Sequence, residues 1–338
     1  MDIVTQGLLG SALALSASNK TETRRAAAIG FCAALLADAD VLISSPGDTL
    51  VNLEFHRHFT HALIFIPVGA LIASLLLWPL LRKHLDFKRI YLFALLGYAT
   101  SGLLDACTSY GTHLLWPFSD DRIAWSIIAI VDPLFSMLLL VSVVWGLKRY
   151  SPGPARYGLA LAGAYLLLGV WQHHDALQVA KQLAQQRGHQ VERSIVKPTI
   201  ANLLLWRSIY EVDGVFHVDA IRLGLLGPDR VYAGASAPSF DAARDRSDIA
   251  PDSLLGRDVE RFSRLSDGFI IADRVRDGVL IDIRYSMLPI SLTAMWGIDL
   301  NAATGSGHAR FSIYRDRPEN MRELFLAMLL GRDLPSPL

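Results

Sequence analysis

Three imidazoles fall within six residues at His56-Arg57-His58-Phe59-Thr60-His61. Imidazole nitrogen and carboxylate oxygen together form a donor set for a divalent metal. Zn(II) accepts both at about 2.0–2.2 Å, and a catalytic site leaves one position for water. Carboxylates that could complete such a set stand inside apolar runs at Asp38, Asp40, Asp105 and Asp132. A charge within a hydrocarbon span costs roughly 2.5–3.5 kcal/mol on insertion scales, so four such acids need partners or a function. A divalent ion meets that need, because it neutralises acids crowded together in a low dielectric. His58 and His61, three apart, share a helix face where a helix has begun, with His56 contributing from the loop. Thr60 is placed to cap that helix through its hydroxyl. The competing reading is structural: histidines beside a membrane surface as interfacial polar residues, and acids that hold helices together.

The elements that must position these residues are membrane spans. Of 338 residues 52% are apolar, with a mean hydropathy of +0.33, above the roughly 45–50% of soluble proteins. The excess lies between His61 and Gln172, whereas from His173 onward Arg, Asp and Glu recur every few residues. About 20 apolar helical residues cross a hydrocarbon core of about 30 Å. Five stretches qualify as candidates, at 26–43, 61–81, 90–107, 126–147 and 157–172. The leading stretch 3–17 is short and reads as interfacial or re-entrant, and Asp2 stands where a signal peptide would be basic, so it is expected to be retained.

Basic residues near span ends stay on the cytoplasmic side. Lys20, Arg24 and Arg25, then Arg82, Lys83, Lys88 and Arg89, then Lys148, Arg149 and Arg156 all fall on one side by this rule. Residues 44–60, 108–125 and everything after His173 then lie on the other side. Asp38, Asp40, His56, His58, His61, Asp105 and His113 gather at these outer ends. Asp132, before Pro133, either lines the site or satisfies backbone freed by the proline. Asp120-Asp121 reads as a solvated turn and His173-His174 as an interfacial pair.

The second half reads as a small α+β domain with an antiparallel sheet. Helices are expected at 175–187, closed by Gly188, and at 253–265 and 320–330. Strands are expected at 202–212, up to 222, at 269–275, 279–287 and 309–315. Asp213-Gly214 and Asp277-Gly278 are hairpin signals. Trp206, Tyr210 and Phe216 read as sheet packing. No nucleophile elbow, Walker loop or dinucleotide fingerprint occurs there. Lys plus Arg equals Asp plus Glu at 32 each, which argues against a nucleic-acid partner. Two cysteines, Cys32 and Cys107, exclude a disulfide framework and read as buried thiols. The expected architecture is a polytopic α-helical membrane domain of about five spans at 1–172, followed by an extracytoplasmic α+β domain at 173–338.

Four pieces carry a family resemblance: MDIVTQGLLGSALA at the start, LLADADVL at 35–42, HRHFTHALIF at 56–65 and GYATSGLLDACTSYGTHLLWPFS at 97–119. In this order, over residues 1–147, the chain resembles the YdjM-like or YbcI-like membrane-bound, metal-dependent hydrolases of bacterial inner membranes. The resemblance implies a divalent metal held by Asp38, Asp40, His56, His61 and Asp105. The chain departs from the family pattern where many members have T-H, here Thr5-Gln6, and H-x-x-L-D, here with Ser101 before Asp105. An imidazole one helical turn before Asp105 is thereby lost, and His113 or His58 is left to compensate.

The function expected from these residues together with the resemblance is metal-dependent hydrolysis, by an activated water, of an ester or phosphoester at the outer surface of what the resemblance implies is a bacterial inner membrane. The metal is expected to be Zn(II), with Mn or Fe as alternatives. His58 or a carboxylate such as Asp105 would take the proton. Membrane lipids are the expected partners and a lipid-derived molecule the expected substrate; the sequence names no protein partner. The alternative is a non-enzymatic membrane scaffold or binding protein. A transporter would need polar residues continuing toward the cytoplasmic ends, and few are present.

Overall fold

The computed structural model describes residues 1–224, 227–301, 307–315 and 320–334. These form two compact units. The first comprises residues 1–42, 55–173 and 200–203, and the second residues 43–54, 174–199 and 204–338.

The first unit is helical. Its elements are α1 (Ile3–Ser16), α2 (Thr23–Leu36), a 3₁₀ segment (Ala37–Leu42), two 3₁₀ turns (Phe59–His61 and Leu63–Phe65), α4 (Ile66–Leu81), α5 (Phe87–Ala106) and α6 (Pro133–Arg149). The short α3 (Leu50–Phe55) precedes the 3₁₀ turns, and α7 (Gly153–Gln186) contains the division between units, at His173/His174. Among the described residues one helical stretch, Leu63–Leu81, is long and apolar enough to cross a membrane. Two of the other candidate spans, at 26–43 and 126–147, form shorter helices for local reasons. Helix α2 stops after 14 residues and tightens into the 3₁₀ segment that carries Asp38 and Asp40. Helix α6 begins at Pro133, where proline's fixed φ suits the first turn, and Asp132 Oδ1 accepts the Phe135 N–H at 3.0 Å. Asp132 is therefore a cap, and its second oxygen accepts the Tyr165 hydroxyl at 2.7 Å.

Helices α1, α2 and α5 meet at three glycines. A Cβ on Gly30 would lie 2.3 Å from the Gly10 carbonyl oxygen, and one on Gly97 would lie 2.4 Å from that of Gly30. Small residues allow backbones to approach this closely, which is how helices associate where surrounding lipid removes any hydrophobic drive. The crossing is sealed by Ala26, Ile29, Ala33, Phe93, Ala94 and Tyr98. Ser11 adds a hydroxyl donation to the Ala27 carbonyl at 2.8 Å. Contrary to the buried reading of both thiols, Cys32 is exposed while Cys107 is buried.

The second unit contains two four-stranded antiparallel sheets, ordered β1-β2-β3-β4 and β5-β6-β7-β8. The first holds β1 (Arg193–Pro198), β2 (Leu205–Val212), β3 (Val215–Arg222) and β4 (Arg230–Pro238). The second holds β5 (Ile270–Ala272), β6 (Val279–Asp282), β7 (Trp296–Asp299) and β8 (Arg310–Ile313). Helices α8 (Ala242–Asp245) and α9 (Leu254–Leu265) lie between the sheets in sequence, and α10 (Met321–Leu329) follows them. Ser253 caps α9 by accepting the Gly256 N–H.

Asp213 and Gly214 adopt φ of 50° and 69° and close the Val212↔Val215 pair. Positive φ at both positions is the type I′ requirement. The Asp277-Gly278 signal marks a longer connection. The ladder's last pair there is Ala272↔Leu280, and Asp273 accepts the Val275 N–H at 2.9 Å, turning the chain early. Strand β4, rich in Ala, Gly and Ser, carried no strand signal; pairing with β3 makes it one. Trp206 and Phe216 are fully buried, and Phe216 stacks on Phe269 at 5.5 Å.

Overpacking the crossing is expected to cost about 1–3 kcal/mol. Gly30→Val should lower the thermal unfolding midpoint of the detergent-solubilised protein, whereas Gly163→Ala, where a new Cβ meets nothing within 4 Å, should leave it unchanged or raise it.

Candidate functional site

Asp40 organises the histidine-rich segment. Its side chain is fully buried, and Oδ2 accepts the Arg57 backbone N–H at 2.7 Å and the Thr60 hydroxyl at 3.0 Å. Oδ1 lies 3.4 Å from His56 Nδ1. These contacts hold Arg57 at φ 59°, a left-handed conformation that a residue with a Cβ adopts only when its surroundings impose it. The Arg57 carbonyl accepts the His113 N–H at 3.1 Å and the Thr112 hydroxyl at 3.0 Å, tying the turn to the segment after α5. Tyr98 donates its hydroxyl to the Thr60 carbonyl at 2.8 Å. Gly102 lets the His61 carbonyl lie against α5, since a Cβ there would sit 2.2 Å from that oxygen.

His61 is thereby set beside Asp105, which lies one turn beyond Gly102 on α5. His61 Nε2 is 3.2 Å from Asp105 Oδ2 and 3.3 Å from Asp38 Oδ1, and one ligand atom from each residue falls within 4.8 Å of the others. Asp105 and His61 are buried, and the Asp38 side chain, 21% exposed, is the most accessible of the three.

The hydrogen-bond network assigns the tautomer of His61. Thr60 has one hydroxyl proton and gives it to Asp40, which only accepts. Its oxygen, 3.0 Å from His61 Nδ1, therefore receives the Nδ1 proton. The neutral ring then points a lone pair from Nε2 at two carboxylate oxygens. His61 Nε2 and Asp105 Oδ2 are buried and make no aligned hydrogen bond among the described residues. Three acceptors converging in this way require a cation between them, either a proton on Nε2 or a metal, and a carboxylate-buttressed imidazole is an ordinary metal ligand. The donor set thus fits a divalent ion. Protein cations adjoin it as well: Arg57 Nε is 3.2 Å from Asp105 Oδ2, and the Met1 amine donates to Asp105 Oδ1.

The structure brings together Asp38, His61 and Asp105 from the expected set, with Asp40 and His56 as their neighbours. Asp40 faces the donors of the 56–61 segment. The His56 side chain is 32% exposed and lies near Tyr110. His58 packs on His113 at 4.5 Å between ring centres, with Phe55 and Trp116 around it. Thr60 bridges Asp40 and His61 and does not cap a span. Ser101, where the resemblance implies an imidazole, is buried and donates to the Ala34 carbonyl at 2.8 Å. Gln6 donates to that same carbonyl at 3.3 Å. Arg57 went unassigned in the sequence, although its place between two histidines marked it. Also unassigned was a second group in the other unit, formed by Asp48, Asp258 and His308. There Arg261 donates to Asp48 at 2.9 Å and to Asp258 and Glu54 at 2.8 Å, so a guanidinium already bridges the acids.

Residues 1–176 match the family described as YdjM inner membrane protein. The inner membrane protein YbcI of Escherichia coli is 31% identical over 132 residues, covering 38% of this chain and 75% of YbcI. The uncharacterized protein YfhP of Bacillus subtilis is 26% identical over 170 residues, half of each chain, so the match spans half the length of YfhP. No solved structure matches. A helical first unit that carries the His56–His61 motif, and a match over more than half its length, place this chain in the YdjM inner membrane protein family.

Proposed function

We propose that Asp38, His61 and Asp105 hold a divalent metal, Zn(II) in the first instance with Mn(II) or Fe(II) as alternatives, and that the protein hydrolyses an ester or phosphoester of a lipid-related substrate at the membrane surface. The observation that carries this reading is the convergence of His61 Nε2 with two carboxylate oxygens, with no aligned hydrogen bond among the described residues at His61 Nε2 or Asp105 Oδ2. When bound, the ion would supply Lewis acidity toward the scissile group and an acidified water. Thr60 keeps the His61 proton on Nδ1, and Asp40 fixes the segment that presents the ring. Arg57 supplies a fixed positive charge beside Asp105, suited to an anionic phosphoester oxygen. His56, partly exposed with Nδ1 toward Asp40, is assigned as proton acceptor in place of His58, whose ring contacts lie elsewhere.

A second reading, a non-enzymatic scaffold, has one specific observation in its favour. Arg57 and the Met1 amine already neutralise Asp105, so the cluster would serve as a buried ion-pair network joining helices.

Elemental analysis separates the two readings. The hydrolase reading expects about one equivalent of transition metal per chain, lost in both His61→Ala and Asp105→Ala, and a lower thermal midpoint after chelation. Metal-free protein whose midpoint ignores chelator and added Zn(II) would establish the scaffold. Asp40→Ala is expected to keep the stoichiometry at saturating metal while weakening affinity about 10–100-fold, the usual effect of removing a residue that orients a ligand; competition against a chromogenic chelator measures this.

We further propose that the helical unit crosses the membrane about five times, with the three basic loops cytoplasmic and the second half extracytoplasmic. Alkaline phosphatase fused after Leu338 should then be active and a fluorescent protein at the same place dark; the reverse pattern would overturn the orientation.

A further inference from the structure

The second unit contains a polar pocket that is independent of the Asp38–His61–Asp105 cluster. Arg187, one residue past the end of α7, forks onto Asp219 of β3 with Nη1–Oδ2 at 2.7 Å and Nη2–Oδ1 at 2.9 Å. The same Nη1 donates to the Tyr210 hydroxyl at 2.8 Å, and that oxygen lies 3.0 Å from His189 Nδ1. The direction of the Tyr210–His189 bond follows the His189 tautomer: with the phenol proton given to Nδ1, the neutral ring is an Nε2–H donor. His217 stacks on Tyr210 with ring centres 5.1 Å apart and lies 4.7 Å from the His189 ring.

A β-bulge shapes the floor. His217 pairs with Ser236 but Asp219 pairs with Ala233, so Gly234 and Ala235 stand opposite Val218 alone. The bulge turns the Ala235 N–H out to the Ile290 carbonyl at 3.1 Å. Gly234 is required there, because a Cβ would lie 2.3 Å from the Val218 oxygen and 2.6 Å from that of Ile290. Bulges recur beside binding sites because they re-aim side chains. The cavity has a volume of about 400 Å³ and is lined by Arg187, His189, His217, Asp219, Gly234 and Ser236 among others, within the range of small-molecule sites.

The charge balance selects the occupant. The single carboxylate, Asp219, is answered by Arg187, and among the described residues neither imidazole is paired with an acid. Burial, the neighbouring His189 and Arg187 together push the His217 pKa down. An anion between the rings would oppose that shift by favouring the protonated imidazoles, and would accept from Arg187, the imidazoles and Ser236. We infer that this pocket binds the phosphate group of a small phosphomonoester, with the imidazoles of His189 and His217 and the guanidinium of Arg187 as its donors.

Isothermal titration of the full chain in detergent, at fixed ionic strength, tests this with inorganic phosphate, glycerol 3-phosphate and dihexanoyl phosphatidate as probes. One saturable site is expected, with at least one ester bound no more weakly than phosphate, and the tighter of the two esters identifies a soluble or a lipid-borne ligand. His217→Gln and His189→Gln should each weaken binding at least tenfold at an unchanged thermal midpoint. His217→Gln alone suffices if the other variant does not fold. Absence of saturable binding, binding of inorganic phosphate with both esters excluded, or binding that both variants retain would overturn the inference. So would Zn(II) alone saturating a site that the two variants abolish, since the rings would then be a metal pair.

Discussion

Asp105 is a carboxylate with no exposed surface, near the end of an apolar helix. Burying an ionised carboxylate is tolerable only if charge or hydrogen bonds replace the lost water. The first unit is arranged around that requirement. Arg57 reaches Asp105 from a turn with a left-handed backbone, and His61 reaches it from the 3₁₀ turn that follows. Both depend on Asp40, which holds that turn by its backbone and side-chain donors. Remove the need to match Asp105 and little else explains why a buried histidine should direct its Nε2 at two acids.

The glycine crossing serves the same end by different physics. Asp38 and Asp40 follow the end of α2, and Asp105 lies near the end of α5, so the separation between those helices sets the distance between the carboxylates. Close contact at Gly30 and Gly97 keeps that separation short. A side chain at either position would push the helices apart and move the ligand atoms out of mutual reach. Gly102 repeats the device where the His61 carbonyl meets α5.

The second unit uses backbone irregularity differently. Its tight turn at Asp213-Gly214 keeps β2 and β3 in register, and the bulge between β3 and β4 then breaks the regular alternation at His217 and Asp219. The outcome is a polar recess over a sheet whose other residues, among them Trp206 and Phe216, form ordinary core. Tyr210 belongs to both: its ring is buried with the sheet, and its hydroxyl completes the Arg187–His189 chain.

Much of this was legible in the residue order. Apolar runs, basic loops and the change of composition after His173 indicate a helical first part and a mixed second part, because hydrophobic period and charge act locally along the chain. Asp213-Gly214 indicates its hairpin for the same reason: the turn's positive φ is a property of those two residues. The family pieces imply one set of Asp38, Asp40, His56, His61 and Asp105, without separating the three that converge from the two beside them. What the sequence could not assign was which acids face the imidazole and which hold the loop, since Asp38 and Asp40 are two residues apart and differ only in the fold around them. Nor could it assign Arg57 to Asp105 or Thr60 to the His61 proton, or indicate that Ser101 and Gln6 would meet at one carbonyl. The pairing of His189 with His217 likewise depends on a bulge in β4, a strand without a strand's composition. Each of these arises from contacts between segments far apart in sequence, where distance and hydrogen-bond direction are set by packing, and only the tertiary structure decided them.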